Sequence, residues 1–228
     1  MPDYLKNNEE KDMSLFDKYN FIAIEGNIGV GKTTICNMIA NSYNCKVILE
    51  SFADNPFLPK FYKAPERYAF PVELFFMTER HKQLQENLLN PSLFKKGTIS
   101  DYSFIKTLLF AKNNLKSDEN HLFQRIFHIL NATFPKPDLL VYFHRPINDL
   151  LKNIAKRGRE YEKNITKAYL QSIQNAYFEY FRTEMTIPIL ILDIENVDFI
   201  KNPKPYPKLL ELLEQDYKLG INYVMMNW

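Results

Sequence analysis

Between Phe21 and Ala40 the chain reads FIAIEGNIGVGKTTICNMIA, and no other stretch limits the possible folds as tightly. Phe21 to Glu25 is a short apolar run suited to a parallel strand buried on both faces. Gly26 and, four residues later, Gly31-Lys32-Thr33 fit the pattern G-x-x-x-x-G-K-[ST]. Gly26, Gly29 and Gly31 let the backbone turn several N–H groups into one concavity. A helix beginning near Lys32 would aim its N-terminus at the same place. The cradle Gly26, Asn27, Ile28, Gly29, Val30, Gly31, Lys32, Thr33 and Thr34 is therefore expected to hold a di- or triphosphate. Lys32 can reach the β- and γ-phosphates, and the Thr33 hydroxyl is placed to ligate Mg²⁺.

A chain of 228 residues, 46% of them apolar, is long enough for one large α/β domain with a sizeable core. Its net charge of +2 is too small to argue for a nucleic-acid or membrane surface. Cys36 and Cys45 have no metal-ligand spacing and read as small apolar residues of a reducing compartment. Residues 1–19 are polar and contain no run resembling a signal peptide or membrane span. They are expected to be a loosely ordered extension before a single domain at 20–228, and the protein to be cytoplasmic.

Further strands are predicted at Lys46–Glu50, Thr98–Asp101, Leu139–Phe143 and Ile189–Asp193. Helices are predicted over about Ala69–Asn90, Phe104–Asn113, Glu119–Phe134, Thr166–Met185 and Lys208–Gln215, with one more running from Pro146 to Lys156–Arg159. The turn-rich SFADNPFLP lies between the second strand and the first long helix. This alternation predicts a five-stranded parallel sheet with helices on both faces. Ligands of such sheets sit beyond the carboxyl ends of the strands, which places the phosphate loop, Glu50 and Asp101 on one rim. A phosphate cradle converging with two carboxylates suits phosphoryl transfer.

With IEGNIGVGKTT, the acid closing the second strand, Tyr62, PERYAF (65–70), PDLLVYF and the RGREYE segment (157–162) in this order, the chain resembles the deoxynucleoside kinases. The resemblance runs from Phe21 to about Asp198. It implies an ATP-dependent, Mg²⁺-requiring P-loop kinase that phosphorylates the 5′-hydroxyl of a deoxynucleoside in nucleotide salvage. It puts Glu50 at the general base, Asp101 near Mg²⁺, and Tyr62 and Glu162 at the sugar 3′-hydroxyl. Arg157 and Arg159 fall at the lid arginines, in a lid at about 156–163, and Phe110 near the residue that stacks the base. Gly158 between the two arginines suits a hinge, although a basic helix end has the same composition.

The chain also departs from that pattern. Glu73 stands where the family's base-reading glutamine is expected, seven residues before Arg80. Tyr102 replaces the arginine that follows the acid and is expected at the substrate, and Lys106 and Thr107 stand near the position of the family's substrate-reading acid. Loss of the arginine leaves a non-catalytic nucleotide-binding relative as one alternative, and a nucleoside monophosphate kinase is another. The latter would need more arginines between Glu50 and Asp101 than Arg67 and Arg80. No N-K-x-D motif supports a GTPase. An ionised Glu73 offers only acceptors, which suits the adjacent N1–H and 2-amino donors of guanine, with Arg80 able to donate to O6. Glu73 could instead pair with Arg80, or be protonated by desolvation and accept adenine. A purine deoxynucleoside is expected, guanine slightly ahead. His81, His121, His128 and His144 have no metal spacing, and the aromatic-rich helices after Asn120 and Thr166 suggest packing faces and a homodimer.

Overall fold

In the computed structural model, residues 15–51, 55–89, 95–195 and 197–226 are described. The chain forms α1 (Leu15–Lys18), β1 (Phe21–Gly26), α2 (Lys32–Tyr43), β2 (Lys46–Ile48), α3 (Leu58–Lys63) and α4 (Pro65–Leu88). It continues through β3 (Thr98–Ser100), α5 (Ile105–Asn114), α6 (Ser117–Asn131), β4 (Leu139–His144) and α7 (Ile147–Arg157). A 3₁₀ turn (Glu160–Asn164), α8 (Lys167–Thr183), β5 (Pro188–Asp193), α9 (Pro205–Glu214) and β6 (Gly220–Met225) complete it.

The strands make one sheet in the order β2-β3-β1-β4-β5-β6, parallel at every pairing. That is six strands where five were expected. β6 escaped the sequence because Asn222 interrupts its apolar run and because, as an edge strand, it leaves Ile221, Tyr223 and Met225 exposed. Two strands are shorter than expected. β2 ends at Ile48 and β3 at Ser100, so Glu50 and Asp101 lie on the loops leaving the sheet rather than in it. Helix α3 was not expected from SFADNPFLP. Pro59 sits in its first turn, where a missing N–H costs little. Helix α4 begins at Pro65, earlier than expected, and carries Pro71 inside it.

Side-chain alternation in β4 explains the layering. Leu139, Val141 and Phe143 join a core with Ile35 and Ile39 of α2, Leu150 of α7 and Leu209 of α9. Leu140 and Tyr142 face the opposite side, against Leu109 of α5 and Ile173, Tyr177 and Phe181 of α8. Residues 15–19, expected within the extension, belong to the domain, with Leu15, Phe16 and Tyr19 buried in the first of these cores. Residues 1–14 lie outside the described residues. Cys36 and Cys45 are both free and buried, and desolvation holds the Cys36 thiol well above its usual pKa.

β1 lies between β3 and β4, so successive connections leave its carboxyl end in opposite directions across the sheet. This is the switch point at which an open α/β sheet leaves a crevice. Glu25, fully buried at the end of β1, closes the crevice floor. It accepts hydrogen bonds from the Ser103 N–H and hydroxyl at 2.7 Å each and from the Tyr177 hydroxyl at 2.8 Å. One carboxylate thereby ties the β3–α5 loop and α8 to the central strand.

Candidate active site

The loop from Gly26 to Lys32 is shaped by packing as much as by glycine. A Cβ at Gly29 would lie 2.8 Å from Ile154 Cγ1 and 2.9 Å from the Leu150 carbonyl oxygen, so the loop can approach α7 only without a side chain. Gly31 has open space around it, and its φ of 104° is what requires glycine there. The Asn153 amide of α7 donates to the Gly29 carbonyl at 2.9 Å. Asn27 anchors the loop from below, donating to the Leu170 carbonyl at 2.7 Å while its own amide oxygen accepts from Ile28 N–H at 2.8 Å.

Beyond this loop opens a cavity of about 520 Å³, a size suited to small-molecule ligands. Lys32, Thr33, Glu50, Tyr62, Glu73, Arg80, Asp101, Phe110, Arg157, Arg159 and Glu162 all border it. The structure thus gathers these expected residues, drawn from seven separate parts of the chain, around one space. Tyr102 is the exception. It is fully buried and faces away, among Met77, Leu84 and Phe123, with its hydroxyl donating to Gln83 at 2.8 Å. An aromatic side chain at that position fills a satellite core, so the expectation that Tyr102 touches substrate does not fit its place.

At the phosphate end, the Lys32 ammonium donates to the carbonyls of Gly26 at 2.7 Å and Asn27 at 3.1 Å. Loss of hydration, aided by repulsion from Lys106, lowers its pKa to about 8. The Thr33 hydroxyl donates to Asp101 Oδ2 at 2.5 Å. Asp101 Oδ1 accepts the Glu50 N–H at 2.7 Å, and the Asp101 N–H donates to the Ile48 carbonyl at 3.1 Å. Asp101 therefore fixes the ends of β2 and β3 to each other and to the phosphate loop. Among the described residues no three His, Cys, Asp or Glu side chains cluster as a metal site. A hydroxyl beside a carboxylate is nevertheless the hard-oxygen donor set that suits Mg²⁺, which takes few protein ligands when phosphates supply the rest.

Glu50 lies on the cavity wall between two cations. Arg80 donates to its Oε1 twice, from Nε at 2.8 Å and Nη2 at 2.6 Å. Lys106 donates to Oε2 at 2.5 Å. Burial alone would raise the pKa of this carboxyl, but Lys106 and Arg80 outweigh it and hold Glu50 far below the usual carboxylate range. The third Arg80 contact runs from Nη1 to the Thr107 hydroxyl at 2.9 Å, so three of its five N–H donors are used within the protein.

Glu73 makes no ion pair with Arg80. Its Oε1 accepts from the Asn114 amide at 2.6 Å, and its Oε2 is buried with no hydrogen-bond partner among the described residues. Desolvation raises its pKa to about 7, against the opposing influence of Arg80 and Asn114. Further along the cavity wall, Tyr62 stacks on Tyr161 with ring centres 6.3 Å apart, and burial drives its phenol well above the usual pKa. Glu162 accepts from Arg157 Nη2 at 2.6 Å and from Arg159 Nη1 at 3.3 Å, so it holds both arginines.

Sequence reasoning missed three residues. Glu25 was read only as the end of a strand. Lys106 and Asn114 were not recognised as partners of Glu50 and Glu73. Their signal was present, because Lys106, Phe110 and Asn114 repeat every four residues and so share one face of α5. His81 packs edge-on against Phe104 and Phe134, and His121 and His128 are exposed on α6.

The deoxynucleoside kinase family profile matches residues 22–216. The chain belongs to the deoxynucleoside kinase family. It is 33% identical over 195 residues to the deoxyguanosine kinase of Bacillus subtilis (strain 168), covering 83% of this chain and 93% of that one. It is 28% identical over 202 residues to the deoxyadenosine/deoxycytidine kinase of the same organism, covering 85% and 91%. The fold matches a structure of deoxyadenosine kinase from M. mycoides with bound dCTP, with a TM-score of 0.70, 22% identity, and coverage of 84% of this chain and 99% of that one. This member of the family is a kinase that phosphorylates deoxynucleosides. Among the described residues no helix is long and apolar enough to cross a membrane.

Proposed function

We propose that this kinase transfers the γ-phosphoryl group of ATP to the 5′-hydroxyl of a purine deoxynucleoside, preferring deoxyguanosine, and that Glu50 is its general base. The observation that carries the assignment is the position of Glu50, an ionised carboxylate that shares one cavity with the phosphate loop and is linked through Asp101 to Thr33. In the step, the 5′-oxygen bonds to the γ-phosphorus as the bond from that phosphorus to the β,γ-bridging oxygen breaks. ADP departs with the bond electrons, and the hydroxyl proton passes to Glu50. A base of low pKa suffices because in phosphoryl transfer it mainly orients the nucleophile.

Lys32 and the loop N–H groups hold the β- and γ-phosphates. Thr33 and Asp101 would hold Mg²⁺, which when bound neutralises phosphate charge. Arg157 and Arg159 are suited to grip the transferring group once they leave Glu162, which with Tyr62 then receives the sugar 3′-hydroxyl. Phe110 offers its face to the base.

The preference for guanine rests on the buried, unpartnered Oε2 of Glu73. An acceptor left unpaired in a dry site costs about 1–3 kcal/mol, which a base presenting two adjacent donors relieves. The similarity to a deoxyguanosine kinase supports the same reading. A homodimer is supported by Leu122 and Ile129, exposed on one face of α6.

The test is phosphoryl transfer from radiolabelled ATP across a panel of deoxy- and ribonucleosides, for the native protein and Glu50→Gln. Loss of at least a hundredfold in kcat by the variant is expected, following the usual scale for one transition-state contact. Near-native turnover by Glu50→Gln refutes the base assignment, and a preference for pyrimidines refutes the substrate assignment.

A further inference from the structure

Arg80 grips Glu50 by one oxygen only. Both of its donors converge on Oε1, at 2.8 and 2.6 Å, which leaves the carboxylate free to pivot about that oxygen. A carboxylate oxygen has two lone-pair sites, so Oε1 is filled by Arg80 and cannot also take a substrate proton. Oε2 carries a single contact, from Lys106 at 2.5 Å, and so keeps one site open.

Lys106 is well suited to fix this oxygen. It is 6% exposed on the face of α5 that buries Leu109, Phe110 and Ala111, and its ammonium lies 5.5 Å from the ring centre of Phe110. The next residue on α5, Thr107, holds Arg80. Two consecutive residues of one helix therefore fix both cations of Glu50.

We propose that Lys106 is the positioning residue of the reaction: it sets the plane of the Glu50 carboxylate so that the open lone pair of Oε2, and not Oε1, receives the 5′-hydroxyl proton. This rests on Glu50 being the base. With Tyr102 turned into the core, Lys106 is the cation from the β3–α5 region that reaches the carboxylate.

The experiment compares Lys106→Met, Lys106→Gln and Lys106→Arg with the native kinase and with Glu50→Gln, measuring kcat and nucleoside KM for each at a single pH. Lys106→Met is expected to lower kcat about a hundredfold, the scale of a misplaced reacting group, with little change in nucleoside KM.

Lys106→Gln keeps a donor without the charge. It should recover part of kcat, and Lys106→Arg should restore most of it. A Lys106→Met protein that melts earlier yet keeps native kcat overturns the proposal. If Lys106→Met does not fold, the split between the Gln and Arg variants decides, and equal kcat in those two overturns it. Loss of activity in Glu50→Gln alongside an unaffected Lys106→Met removes the role of Lys106 alone. An active Glu50→Gln removes the base assignment and the positioning role together.

Discussion

If Glu73 reads the base as proposed, nucleoside choice depends on pH, and the direction follows from the burial of this carboxyl. The carboxyl has a pKa of about 7 because desolvation disfavours its charge. Above that value it is ionised and presents Oε2 as an acceptor toward the N1–H and 2-amino group of guanine. Below it, the carboxyl carries a proton and can donate to N1 of adenine. With that midpoint, about nine-tenths of the carboxyl is ionised at pH 8 and about one-tenth at pH 6. The kcat/KM for deoxyguanosine should therefore fall about tenfold between these values from this group alone, while that for deoxyadenosine rises. Lys32, also near neutrality at about 8, and Glu50 act equally on both substrates and cancel in the ratio. The assay is the deoxyguanosine to deoxyadenosine kcat/KM ratio from pH 6 to 8.5, for the native kinase and for Glu73→Gln. The ratio should climb with pH in the first and stay flat in the second. A flat native ratio, or an equal slope in Glu73→Gln, refutes direct reading of the base by this carboxyl.

Without nucleoside, Glu73 also destabilises the fold at high pH. Its folded pKa of about 7 exceeds the ordinary 4.5, so stability is full below about pH 4.5 and lost as pH rises to 7, by about 3 kcal/mol. Glu73→Gln should accordingly raise Tm at pH 8 but not at pH 4.5, and calorimetry at the two values checks it. Lys32→Met should lower kcat at least a hundredfold while leaving circular dichroism and nucleoside KM nearly unchanged; a loss confined to KM contradicts its placement at the phosphates. Hydrogen exchange should slow across 157–164 on binding a non-hydrolysable ATP analogue, as Arg157 and Arg159 exchange Glu162 for phosphate oxygens. Unaltered exchange there argues against a lid.

The fold was legible where period and punctuation agree. β1 and β4 are unbroken apolar runs bounded by Gly or Pro, and the P-loop fixes the helix that follows. Legibility failed where tertiary context decides. Residues 15–18 look polar in a window dominated by Asn, Glu and Lys, yet Leu15 and Phe16 fill space beside the sheet. Gly97 shows how closely they fit, since a Cβ there would lie 2.1 Å from the Phe16 ring. β6 is held by its pairing with β5 rather than by its own pattern. Helix α3 hid behind two prolines that usually mark turns but here open helices at Pro59 and Pro65.

The site divides along the same line. Residues tied to the chain's own punctuation, such as Lys32 and Thr33 after the glycines and Glu50 and Asp101 after strands, could be placed from the sequence. Partnerships across elements could not. Reading Tyr102 against the family's arginine suggested a missing cation beside Glu50, because alignment compares positions one at a time. The fold compares charges in space, and there a lysine four residues further along, in the first turn of α5, supplies the second cation at 2.5 Å. The same logic separates Glu73 from Arg80. They share a helix face two turns apart, but Glu50 has stronger claim on the guanidinium because it accepts two of its N–H groups. Glu73 is consequently left with a neutral amide and an open acceptor. A substitution that looked like the loss of a catalytic cation and one that looked like a local ion pair are thus resolved by where α5 places Lys106 and Asn114.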